Sequence, residues 1–156
     1  MNNETNAIAF NDWALKIAED TEQARHTITL TALSCQPPRR LAQTGLSPLW
    51  LSLVSAAARG KAVTLILPAS SKTHPATAYN NGTALRAAAL GIKTKLIPLP
   101  RLLHAKTVLI DEAISWIGSG NLTAAAASHN REAWLRSTEE HIAVQLLCFH
   151  ENLLSH

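Results

Sequence analysis

Short apolar or β-branched runs alternate along this chain with longer stretches of helical spacing. Residues 27–34 (TITLTALS) alternate and are β-branched, which predicts a strand. Residues 63–68 (VTLILP) form a short apolar run that fits a buried strand, and residues 93–98 a further one. Residues 102–110 and 113–118 read as two strands around a tight turn at Asp111 and Glu112, and residues 133–136 as a last strand. Helices are predicted over 11–25, 48–59, 83–90, 122–128 and 139–154. Pro48 opens the second, with Gly60 past its end, and Gly91 closes the third. Residues 36–47 and 69–81 read as loops, the latter running into the turn signal Asn80-Asn81-Gly82. Such alternation predicts an α/β fold, a mixed β-sheet flanked by helices. The 156 residues are expected to form one domain over 1–156, with 1–25 as an N-terminal helical extension.

The composition excludes several classes. Hydrophobic residues make up 47%, too many for a disordered chain. Aromatic residues make up only 4%, so the core must be built from Ala, Leu, Ile and Val. Cys35 and Cys148 have no metal-ligand or redox spacing, and two buried, reduced thiols are favoured over one long-range disulfide between them. No apolar run reaches the ~18 residues of a membrane span. Residues 1–20 lack a basic segment followed by an apolar core, so no secretory signal is expected, nor stable membrane association. The expectation is a cytoplasmic protein without cofactor or metal.

Charge is distributed unevenly. Residues 24–110 hold eleven bases and no acid, whereas 1–23 hold five acids and one base, and 111–156 six acids and two bases. Bases sharing one face would attract a polyanion, although charges solvated on separate helices and loops would give the same arithmetic. Aromatic residues do not interleave with these bases, so platforms for stacking nucleic-acid bases are not expected.

The chemistry concentrates in residues 103–132. There His104, Lys106, Asp111, Gly118, Ser119 and Asn121 form H-x-K-x(4)-D-x(6)-G-S-x-N, followed by Asn130-x-Glu132. Side chains alternate along a strand, so His104 and Lys106 share one side of the first strand and Ser119 and Asn121 one side of the second. Across the hairpin the four converge. Asp111 has the opposite parity and reads as structural, either bonding the turn backbone or supporting a neighbouring strand. Gly118 reads as a close-approach or turn residue. Lys106, Ser119 and Asn121 suit hydrogen bonds to phosphate oxygens. His104 can attack phosphorus if a carboxylate holds its other nitrogen, and Glu132 is a candidate holder. A carboxylate pair for Mg²⁺ is not evident. Ser119 and Asn121 also suit caps for the helix expected from residue 122, and Glu132 a surface charge.

This segment resembles the HKD signature of the phospholipase D superfamily, and within it the small bacterial Nuc-type endonucleases. Six fixed identities at ~5% usage each arise by chance roughly once in 10⁸ starting positions, so coincidence is a poor account. A weaker resemblance extends over residues 27–149. The resemblance implies a phospholipase D-like sandwich in which two HKD motifs build one active site. This chain has a single motif, so a homodimer is implied. One His104 would then be the nucleophile, forming a phosphohistidine, and the partner's His104 the general acid and base. Lys106 and Asn121 would bind the phosphate with Ser119 in support, and Glu132 would hydrogen-bond His104. Arg39, Arg40, Lys72, His74 and Arg101 are further candidate substrate contacts, although a loop histidine such as His74 is more often simply solvated.

The expected function is a metal-independent phosphodiesterase, an endonuclease of low sequence specificity acting on DNA or RNA. One alternative is a phospholipase D-type lipid phosphodiesterase or phosphatidyl transferase. Another is a non-catalytic nucleic-acid-binding subunit.

Overall fold

The computed structural model describes residues 6–38 and 44–155. The elements run β1 (Asn6–Ala9), α1 (Trp13–Glu22), β2 (Thr27–Thr31), α2 (Ser47–Ala58), β3 (Ala62–Pro68), a 3₁₀ turn (Pro75–Thr77), α3 (Asn80–Ala89), β4 (Lys93–Ile97), β5 (Thr107–Ile110), β6 (Ile114–Gly118), α4 (Ala124–Ser128), β7 (Trp134–Ser137) and α5 (Glu140–Leu154). The strands form a seven-stranded mixed sheet in the order β1-β7-β6-β5-β2-β3-β4. β2, β3 and β4 run parallel to one another, and the other pairs are antiparallel.

Helices cover both faces, as the strand–helix alternation requires. Trp13, Ile17, Leu49, Leu53 and Ala87 of α1, α2 and α3 join Leu30, Leu65, Val108 and Trp116 of the sheet in the main core. On the other face Ala143 and Leu146 of α5 pack on Leu109. The core is aliphatic apart from its tryptophans. Trp13 stacks on Trp134 with ring centroids 5.0 Å apart, both essentially inaccessible to solvent. The Asp20 carboxylate accepts hydrogen bonds from Trp116 Nε1 at 2.8 Å and from Arg136 Nε at 2.8 Å, tying α1 to β6 and β7.

Several local expectations are corrected. The stretch expected to be a helical extension contains β1, which pairs with β7 at the sheet edge, and its helix is part of the core. The Asn80-Asn81-Gly82 sequence is the first turn of α3, not a loop. Asn80 is wholly buried, and three tertiary hydrogen bonds outweigh its turn preference. The strand expected over 102–110 is regular only from Thr107. The helix expected from residue 122 begins at Ala124, because Thr123 Oγ1 accepts a hydrogen bond from Ala126 N. Ser119 and Asn121 are therefore not its cap. Cys148 lies exposed on α5, whereas Cys35 is buried and both are free. Burial pushes the Cys35 thiol up to about 12, against the opposing pull of Arg86.

Asp111 settles into the second of its two expected roles. It and Glu112 take positive φ values of 52° and 55° in the β5–β6 turn. Its carboxylate turns away to accept hydrogen bonds from Arg25 N at 2.7 Å, His26 N at 2.8 Å and Thr27 N at 2.9 Å. Burial pushes this carboxyl's pKa up, but the three N–H groups outweigh it and hold it below the ordinary value. A lowered carboxyl pKa stabilises the fold above the unfolded value and is lost as pH falls through the folded one. Asp111→Ala is thus expected to cost about 2–3 kcal/mol at pH 7. In urea titrations the gap from the unsubstituted protein should narrow as the pH drops below the normal carboxylate range. A gap independent of pH would assign the loss to the turn rather than to the charge.

Candidate active site

His104 and Lys106 lie in the extended segment leading into β5. Two hydrogen bonds fix it: Gly118 N donates to Lys106 O at 3.0 Å, and Thr31 Oγ1 to Ala105 O at 3.2 Å. His104 is exposed, whereas Lys106 is only 7% exposed. The Lys106 ammonium donates to His104 O at 2.7 Å and lies 3.1 Å and 3.3 Å from the two ring nitrogens. Burial lowers the Lys106 pKa, and the negative charge of Glu132 partly restores it.

β6 delivers Ser119 and Asn121 to the same end of the sheet. Ser119 Oγ donates to a Glu132 carboxylate oxygen, and Asn130 Nδ2 donates to the other at 3.0 Å. Glu132 therefore holds Ser119, and its hydrogen bonds do not go to His104 as expected. The physical reason is local. Ala133 N also donates to Ser119 Oγ, so the chain entering β7 folds against the end of β6 and carries Glu132 with it. Asn121 Oδ1 accepts from Ser34 N at 3.2 Å, and among the described residues its NH₂ group has no acceptor.

Gly118 has a packing reason. A Cβ there would stand 2.2 Å from the Trp134 ring, and one at Gly120 would stand 2.9 Å from Trp134 Nε1. The stacked tryptophans thus form the floor beneath the Gly-Ser-Gly-Asn loop, and only a bare backbone passes over them.

The structure divides the other candidates. Arg101 lines a cleft of about 730 Å³ together with His104, Leu99, Leu103, Phe149 and Leu153. Lys72, in the loop after β3, lines a separate hollow with Ser70 and Pro75. His74 is half-buried and borders neither. Arg39 and Arg40 fall outside the described residues. The acid-free stretch does not make a single face. Lys61 donates to Arg25 O at 2.8 Å and Arg59 to Glu22 O at 3.4 Å, at the starts of β2 and β3, the end of the strands opposite the site.

Sequence reading missed the residues behind the site. Asn80 accepts from Cys35 N at 3.1 Å and donates to Leu33 O and Pro68 O, both at 2.9 Å, which clamps the backbone on either side of Ser34. Thr31 Oγ1 and Thr107 Oγ1 lie 2.7 Å apart, and Thr107 Oγ1 lies 2.8 Å from His150 Nε2. Burial lowers the pKa of His150 to about 4. The hydroxyls alternating with apolar side chains in TITLT were the only available signal. Nothing in the sequence pairs them with a histidine 43 residues beyond Thr107.

A protein-family model described as cardiolipin synthase, PLD-like domain, matches residues 17–153. Nuc, a phospholipase D family member from Salmonella typhimurium, superposes with a TM-score of 0.77 at 19% identity, covering 96% of this chain and 93% of its own. NucT from Helicobacter pylori superposes with a TM-score of 0.72 at 18% identity, covering 96% of this chain and 95% of its own. A phosphatidylserine synthase from Haemophilus influenzae Rd KW20 reaches 0.70 at 13% identity, covering 96% of this chain and 38% of its own. At these identities the likeness is one of fold. No curated protein sequence matches the chain. Among the described residues no helix is long and apolar enough to cross a membrane.

Proposed function

We propose that this chain, which belongs to the phospholipase D-like family, is a phosphodiesterase that cleaves nucleic acid through a covalent histidine intermediate. The observation that carries the reading is an exposed imidazole within hydrogen-bond distance of a buried ammonium, at a rim where a hydroxyl and an amide are also held. A His104 nitrogen bonds to phosphorus as the bond to the leaving oxygen breaks, and the partner's His104 protonates that oxygen. The partner's imidazole then takes a proton from water, whose oxygen displaces the histidine. Lys106 neutralises charge on the phosphoryl oxygens, and the Asn121 NH₂ helps to orient them by hydrogen bonding. Glu132 fixes Ser119 and opposes the lowering of the Lys106 pKa by burial, a role different from holding His104.

These donors suit phosphate directly and call for no metal ion. A homodimer brings two imidazoles to one site about a two-fold axis. So small a domain leaves little surface for reading bases, so cleavage should be nearly indifferent to sequence. The test is incubation of labelled single- and double-stranded DNA and RNA in excess EDTA. Cleavage that persists in EDTA, with binding that weakens steeply as salt is raised, is the expected result. Intact substrates at every salt concentration would sink the nuclease reading.

One observation favours a second reading. The cleft beside His104 has apolar walls at Leu99, Leu103 and Phe149 with Arg101 among them, which suits a phospholipid as well. Release of headgroup from liposomes, without cleavage of DNA or RNA, would select it.

A further inference from the structure

His150 is 1% exposed, lies on α5, and has no part in the chemistry proposed above. Its Nε2 lies 2.8 Å from Thr107 Oγ1, which lies 2.7 Å from Thr31 Oγ1, which lies 3.2 Å from Ala105 O. All three side chains are buried. Proton counting orients the chain. Ala105 O can only accept, so the single Thr31 proton goes to it. Thr107 must then give its proton to Thr31 and accept one from His150. The imidazole is therefore the Nε2–H tautomer, and its buried Nδ1, which has no hydrogen-bond partner among the described residues, carries a lone pair. The relay ends on the carbonyl of Ala105, the one residue between His104 and Lys106.

We propose that His150 is a positioning residue that holds the His104–Lys106 segment in register with the phosphoryl group, acting through Thr107 and Thr31. The catalytic effect rests on the phosphodiesterase reading, whereas the placement of the segment does not. The geometry gives the reason for the device. Regular strand pairing stops at Thr107, so His104 and Ala105 lie beyond the β5 ladder. Thr31 is the last residue of β2, and its hydroxyl reaches past the end of the ladder to catch Ala105. His150 fixes the direction in which that hydroxyl can donate. A neutral donor buried behind the segment does this without competing with Lys106 for an anion.

The experiment compares His150→Leu, His150→Gln, Thr107→Val and Thr31→Val. Glutamine can present an N–H donor near the Nε2 position, whereas leucine and valine remove a link. His150→Leu, Thr107→Val and Thr31→Val are expected to lower kcat by about 10- to 100-fold with KM nearly unchanged, because a small misplacement of reacting groups acts on the chemical step. His150→Gln should restore most of the loss. Combining His150→Leu with Thr31→Val should cost no more than Thr31→Val alone, since both break one relay. Equal losses for leucine and glutamine, or multiplicative losses in the double variant, would overturn the proposal.

Nitrogen-15 NMR of the unsubstituted protein supplies a readout free of activity and of any folding defect. It should show His150 as the Nε2–H tautomer, and the Nδ1–H tautomer would overturn the proposal. The ring signals of His104 should shift in Thr31→Val and stay put in His150→Gln. If they shift so while no phosphodiester is cleaved by the unsubstituted protein, the functional reading fails and the positioning role stands.

Discussion

Replacing His104 with alanine should reduce phosphodiester cleavage by at least ~10⁴-fold, because the proposed homodimer would lose its nucleophile and its general acid–base together. Each proton-transfer role alone is typically worth about 10²–10⁴ in rate. The fold should be unaffected, since His104 is exposed and, among the described residues, its ring meets only Lys106. Mixing experiments sharpen the result. If one site takes an imidazole from each chain, a dimer of one unsubstituted and one His104→Ala chain has a single imidazole and is silent. Activity should then fall as the square of the unsubstituted fraction, to about a quarter at equal mixing of freely exchanging chains. A linear fall to about half would mean that each chain carries a complete site. Retained activity in the alanine homodimer would remove His104 from the mechanism.

The largest loss of stability is expected from Asn80→Ala. The side chain is wholly buried and satisfies Cys35 N, Leu33 O and Pro68 O at once. Alanine leaves all three backbone groups without this partner in a closed interior. At about 1–3 kcal/mol for each unsatisfied group, partly relieved by relaxation, the cost is roughly 3–5 kcal/mol. That is a large share of the 5–15 kcal/mol typical of a domain. Chemical denaturation should show the midpoint falling with the slope preserved. Asp at the same position should do no better, because it cannot donate to the two carbonyls and it buries a charge. A loss under about 1 kcal/mol would mean that other groups or water take over the clamp.

The fold and the candidate site were legible in the sequence to different depths. Strand and helix alternation gave the mixed sheet with its flanking helices, since period and apolar content are local properties. β1 was illegible for the opposite reason. Asn6–Ala9 is too short to show a period, and only its pairing with β7 makes it a strand. The Asn-Asn-Gly signal misled because turn preference is a weak local bias, whereas Asn80 is committed by distant backbone groups. Parity placed His104 and Lys106 together, and they are together. Even so, they stand ahead of the regular strand rather than in it, and Lys106 folds back onto His104. The bond expected between Glu132 and His104 required knowing how the β6–β7 connection closes. That path is set by Ser119 and Ala133, which spacing does not reveal.

The pairing of β1 with β7 also bears on how this protein is made. Asn6 lies opposite Ser137, and His150 reaches back to Thr107. A ribosome releases the first of these partners long before the second. The parallel strands β2, β3 and β4, with their intervening helices, join neighbours in the chain and can assemble as they emerge. The other half of the sheet must wait. β7 emerges after these strands, and the helix that bears down on Thr107 emerges after β7. A nascent chain long enough to expose His104 and Lys106 thus still lacks the pieces that fasten them. Such a schedule leaves the His104–Lys106 segment unfastened until α5 has emerged and His150 can reach Thr107.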